Sequence, residues 1–121
     1  MKYEHAFYTT QYDNLRIEFL FLHISPKLGW RAYILTNIDY QRVSASRSTD
    51  WHFTHRFFEA DDQRYIDKNR SYPFVCWTSV VKDLEIMKNV AAVWAELTAY
   101  YIRNGGTFAE NQPKLAQQGI I

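Results

Sequence analysis

The chain carries one cysteine, Cys76, in 121 residues. A lone thiol excludes an internal disulfide framework and matches a reducing compartment. Three prolines and four glycines are too few for a low-complexity or collagen-like chain, and no internal repeat or domain linker is visible. Neither charge sign dominates: 14 basic and 13 acidic residues leave a formal charge of +1. No global field therefore draws the protein to nucleic acid or to an acidic membrane. Six basic residues between Arg42 and Arg70 are nearly matched by Asp50, Glu59, Asp61, Asp62 and Asp67. The longest apolar strand-like run, Phe19 to Leu22, is far too short to span a bilayer. The first residues carry Glu4 early and no apolar core, so a signal peptide is not expected. A cytoplasmic chain with no membrane partner is therefore the expectation.

What is abundant is aromatic: 8 Phe, 9 Tyr and 4 Trp. Many stand beside arginine, as in Trp30-Arg31, Tyr40 with Arg42, and Arg56-Phe57-Phe58. Aromatic rings and arginine are the residue types most enriched at the energetic centres of interfaces.

Residues 1–14, largely polar and tyrosine-rich, read as an arm or a short edge strand. From Leu15 the pattern alternates, with Leu15, Ile17, Phe19 and Phe21 on one face. Its second half, with Leu20, Leu22 and Ile24 on the other face, suits a central strand buried on both sides. The turn chemistry of Ser25-Pro26-Lys27-Leu28-Gly29 then predicts an antiparallel hairpin with residues 30–38. Residues 51–58 and 72–78 are two further strands, and Pro73 must sit at a strand start or edge, because it cannot donate to a ladder.

The strongest local signal is a helix over residues 83–103. Asp83 is its N-cap, and Met87, Val90, Ala91, Trp94, Leu97, Thr98, Tyr101 and Ile102 form one apolar stripe. Gly105-Gly106 ends it. The expected fold is α+β: an antiparallel sheet of about four strands against one long helix. Residues 1–106 form the domain and residues 107–121 a polar C-terminal tail.

Dimensions then raise a question of cover. Four strands at about 4.8 Å spacing make a face of some 19 Å, and one helix is only about 10–12 Å wide. The strands offer no polar outer face, since Leu20, Leu22, Ile24, Tyr33 and Leu35 oppose Phe19, Phe21, Ala32 and Ile34 in parity. A second copy is the commonest remedy, so a homodimer is expected.

Motifs for chemistry are thin. His52-x-x-His55 has zinc-like spacing, but on a strand residues three apart face opposite ways. Cys76 sits among Val75 and Trp77, where a thiol packs rather than attacks. Gly105-Gly106 follows a helix instead of opening one, which a phosphate loop would require. No cofactor, metal or catalytic residue is assigned. The chain reads as a small non-catalytic interaction or regulatory protein. Trp30, Arg31, Tyr33, Tyr40, Arg42, Trp51 and Arg56 are its candidate interface. One alternative is a nucleic-acid-binding accessory protein using Arg31, Arg42, Arg47 and Arg56. Another is a small-molecule pocket between helix and sheet near His55, Cys76 and Tyr101.

Overall fold

A computed structural model describes residues 2–40, 56–57, 72–77 and 79–121. It shows an α+β fold. The strands are β1 (Tyr3–Thr9), β2 (Arg16–Ser25), β3 (Gly29–Ile34), β4 (Arg56–Phe57) and β5 (Phe74–Val75). The helices are α1 (Leu84–Asn104) and α2 (Phe108–Gln117). All strand pairs are antiparallel, in the order β1-β2-β3-β5-β4.

The hairpin forms where the turn chemistry places it, and Gly29 is indispensable there. Its φ is +72°, and a Cβ would stand 2.3 Å from the carbonyl oxygen of Val81. That close approach lets the Trp30 N–H donate to the same carbonyl at 2.7 Å, tying the turn to the chain entering α1. β3 ends at Ile34, four residues short of expectation. Beyond it Leu35 N–H still reaches Glu18 O (2.9 Å), but the Thr36 hydroxyl accepts from Glu18 N–H (2.8 Å) in place of a backbone carbonyl. Of the strand expected over 72–78, whose residue 78 lies outside the described residues, Phe74–Val75 remains as β5. Pro73 lies just before it and accepts from Ile34 N–H at 2.8 Å, the start position its missing donor demands. Of the strand expected over 51–58, Arg56 and Phe57 pair with β5, and the rest lies outside the described residues.

α1 begins as its sequence dictates. The Asp83 carboxylate accepts from Glu85 and Ile86 N–H (2.8 and 3.3 Å), and Gly105 at φ 72° returns its N–H to Tyr101 O. Its stripe packs on the face carrying Ile17, Phe19, Phe21, Ala32 and Ile34. Trp94 meets Phe19 edge-on at 6.1 Å.

The polar tail needs correction. Thr107 caps α2 by accepting from Glu110 N–H at 3.1 Å, and α2 buries Phe108, Asn111 and Leu115. The Asn111 amide donates to Gly105 O (2.9 Å), sealing the end of α1. Pro113 forfeits one helical bond, to the carbonyl of solvent-exposed Ala109.

The question of cover is also answered. On the face opposite α1, Leu20, Leu22, Tyr33 and Phe74 form a second cluster, with Ile24, Leu35 and Tyr72 packed against it. These are buried within one chain, so this face does not require a second copy.

Candidate functional site

Of the rings and arginines singled out by sequence, two prove to be core. Tyr33 is 0% exposed, packed edge-on against Phe74 at 5.6 Å. Tyr40 is buried against Tyr101 at 6.5 Å. Both belong to the chain's own interior, because β3 is buried on both faces and residue 40 returns under the C-terminal half of α1. Trp30 is half-buried against His23 (5.2 Å). The Arg31 guanidinium lies 4.4 Å over Phe74, and that of Arg56 lies 5.1 Å over Tyr40. Arg42, Arg47, Trp51, His52 and His55 lie outside the described residues.

Burial without a partner has a measurable signature at Tyr40. Its hydroxyl has no hydrogen-bond partner among the described residues. An unsatisfied buried hydroxyl costs about 1–3 kcal/mol. Tyr40→Phe is therefore expected to raise the urea midpoint, by roughly 1 kcal/mol of stability. A loss above about 1 kcal/mol would mean the hydroxyl is bonded after all.

Burial also pushes the Tyr40 phenol up to about 12, against some relief from Arg56. Tyr8 is raised too, by burial and by its hydrogen bond to Glu96. A raised phenol keeps its proton in the folded state after the unfolded chain has lost it near pH 10. The unfolded state then binds fewer protons, so stability falls as pH rises. Urea midpoints should be flat to about pH 9.5 and drop from about pH 10 upward. A midpoint unchanged at pH 11 would contradict this.

The rings that do face solvent are elsewhere. Along β1 burial alternates, with Tyr3, His5, Phe7 and Thr9 exposed and Glu4, Ala6 and Tyr8 half-buried. The register sets Tyr3 beside Leu22 and His5 beside Leu20, so the exposed row extends the second apolar face to the sheet's edge. Tyr3 is 64% and Phe7 58% exposed, and Arg16 places its guanidinium 4.2 Å over the Phe7 ring. The other exposed large apolar residues among those described are Leu28, Trp77, Val80 and Ile86, on the β2–β3 turn, the loop before α1 and its first turn.

Hydrogen-bond parity makes β1 more than a row of rings. Lys2 O accepts from His23 N–H (3.0 Å) at one end, and Thr10 N–H donates to Leu15 O (2.8 Å) at the other. Antiparallel pairs alternate between bonded and non-bonded. Glu4, Ala6 and Tyr8 thus bond to β2, while Tyr3, His5, Phe7 and Thr9 turn their N–H and C=O groups outward. No described strand lies beyond β1. The same four residues offer exposed side chains and an open ladder. The alternation Tyr3-x-His5-x-Phe7-x-Thr9 was the available sequence signal, masked because Tyr8 and Ala6 between them break the contrast of apolar and polar positions.

β1 is held firmly. Its inner face meets α1 through the Glu4–Lys88 ion pair and the Tyr8 hydroxyl, which donates to Glu96 at 2.5 Å. The same buried carboxylate accepts from Gln11 and Tyr12 N–H (2.9 and 3.0 Å). Arg103 closes the turn on Asp13 (2.9 Å), where Asp13 and Asn14 both have positive φ.

Beside this turn lies an open cleft of about 340 Å³, lined in part by Asp13, Arg16, Asp39 and Arg103 over Leu15 and Ile38. Its charges are engaged: Arg103 with Asp13, Arg16 over Phe7, and Asp39 in a contact of its own. Its hydroxyl, Thr36, already accepts a backbone hydrogen bond. The pocket envisaged near Cys76 and Tyr101 is a different place from this cleft. Tyr101 is fully buried, and Cys76 is half-buried with its thiol pushed up by burial, which lowers its thiolate fraction. Among the described residues no group of three or more His, Cys, Asp or Glu could hold a metal ion, and no helix is long and apolar enough to cross a membrane. No family model matches the chain, and neither a curated protein nor a solved structure matches it.

Proposed function

We propose that this is a small, non-catalytic interaction protein of the cytoplasm. It binds an extended segment of a protein partner along β1. The supporting observation is the coincidence of outward backbone groups with exposed Tyr3, His5 and Phe7 on one rigidly braced edge. Strand addition draws affinity from main-chain bonds and specificity from alternate side chains. Edges not meant for pairing are usually blunted by proline, lysine or a bulge. Tyr3–Thr9 contains no proline or lysine, and its register with β2 is unbroken. Arg16 belongs to this surface. Trp30 and Arg31 on β3, and Arg56 on β4 at the opposite edge of the sheet, stand as candidates for a separate contact, with Arg42 and Trp51.

The test is comparative co-purification from the source cell with wild type and a Tyr3→Ser/Phe7→Ser variant. Partners retained by the wild type and lost by the variant support the reading. Identical recovery from both defeats it, as does recovery of no partner by a chain that is itself monomeric.

A second reading rests on the Arg16–Phe7 pair, since an exposed ring beside a guanidinium can stack a nucleic-acid base. Binding of that kind weakens steeply with salt. Retardation of single-stranded nucleic acid at low salt, abolished by Arg16→Ala, would favour it over the first.

A further inference from the structure

We infer that the occupant of the β1 edge is a second copy of the chain, paired antiparallel about a two-fold axis at Ala6. This rests on the strand-addition reading above and names the partner.

Parity restricts the register. Only Tyr3, His5, Phe7 and Thr9 offer outward groups, so bonded pairs must join odd residues to odd residues. The register with the longest overlap joins Tyr3 to the second copy's Thr9 and His5 to its Phe7, and repeats both by symmetry. Ala6 then meets Ala6 on the axis as a non-bonded pair, where strands approach most closely. A small residue occupies the point of closest approach.

Charge agrees. In this register Glu4 faces Tyr8 and Lys2 faces Thr10, so no like charges oppose each other across the axis. The formal charge of +1 per copy adds little repulsion. On the exposed face, His5 and Phe7 of each copy become cross-strand neighbours, a pairing of rings that stabilises a sheet.

Area sets the strength. Tyr3 and Phe7 are 64% and 58% exposed. At about 150–250 Å² per aromatic side chain, the two rings offer roughly 200–300 Å² per copy. Even with the backbone added, the total lies at or below the roughly 1,200 Å² of a standard stable interface. The dimer is therefore weak and concentration-dependent, and it dissociates on dilution.

Sedimentation velocity over about 10–500 µM should show monomer passing to dimer with wild type. His5→Pro removes one outward donor and leaves the β1–β2 bonds intact, because proline is tolerated on the outer side of an edge strand. It should weaken association by at least about tenfold. A cross-link gives an independent check if that variant folds poorly. In a Cys76→Ser background, Ala6→Cys should oxidise to a covalent dimer, because the axial pair lies within disulfide reach. Glu4→Cys should not, since the two copies of residue 4 lie far apart along the strands. Wild type that stays monomeric throughout, or equal cross-linking at positions 4 and 6, overturns the inference. Its failure is separable from failure of the parent reading. A strictly monomeric chain that still loses its partners on Tyr3→Ser/Phe7→Ser removes the second copy and keeps the docking edge.

Discussion

Glu96→Ala is expected to lose about 3–5 kcal/mol of folding stability, the largest effect of any single polar residue described. Glu96 is 1% exposed in the middle of α1, yet its carboxylate accepts from the Tyr8 hydroxyl and from Gln11 and Tyr12 N–H. Alanine leaves two backbone donors and one phenol without an acceptor, at about 1–3 kcal/mol each where water cannot reach them. The turn after β1 can swing outward and hydrate some of these groups, which keeps the total below the sum. A domain with about 5–15 kcal/mol in hand would be brought close to unfolding.

Two further variants separate the contributions. Tyr8→Phe removes one donor and leaves the carboxylate its two backbone partners, so about 1–2 kcal/mol is expected. Glu96→Gln keeps one acceptor oxygen but turns donors toward donors, and should fall between the other two. Urea melts give the energies, and amide exchange at residues 11 and 12 should quicken in Glu96→Ala beyond the global change. A Glu96→Ala midpoint within about 1 kcal/mol of wild type would show that the carboxylate does not brace β1.

That bracing bears on function. An edge strand receives a partner with little ordering cost only if it is already straight and fixed. Glu96 and Glu4–Lys88 fix β1 at two heights along α1, and Arg103–Asp13 fixes the turn that follows it. If the carboxylate is lost, affinity along β1 should fall although no contact residue has changed.

Local signals carried most of the framework. Asp83 and Gly105 bounded α1, and its apolar spacing fixed the buried face, because each acts within a few residues of itself. The hairpin was equally readable from Pro26 and Gly29. Glu96 was not, since a glutamate within a helical stripe looks solvated and its partners lie 84–88 residues earlier. Tyr33 and Tyr40 look like interface rings in the sequence because parity says which face a residue occupies, not whether that face is covered. Residues 1–14 read as either an arm or a short edge strand, and β1 is the second of these. Its outward bonding pattern needed the register with β2, which no single strand contains.

The C-terminal helix is the sharpest case, and Phe108→Ala tests it with an expected loss of about 3–5 kcal/mol. Residues 107–121 look like a tail because Pro113 interrupts them and half of their side chains are polar. Only Phe108, Asn111 and Leu115 are buried, on one face at three-and-four spacing. Phe108 packs its ring against Tyr101 at 5.7 Å, tilted by 60°, and Leu115 is fully buried. Leu115→Ala should cost about 2–5 kcal/mol, whereas exposed Lys114→Ala should stay within about 0.5. The double variant decides how α2 is coupled. If α2 melts with the domain, the two losses add, apart from a small interaction between neighbours. If α2 can undock alone, the combined loss saturates at its docking free energy and stays well below the sum. Undocking would uncover Tyr101 and remove the Asn111 bond to Gly105 O, so amide exchange near the end of α1 should then rise first. Single variants that both remain within about 0.5 kcal/mol of wild type would return the segment to the dispensable tail its composition suggests.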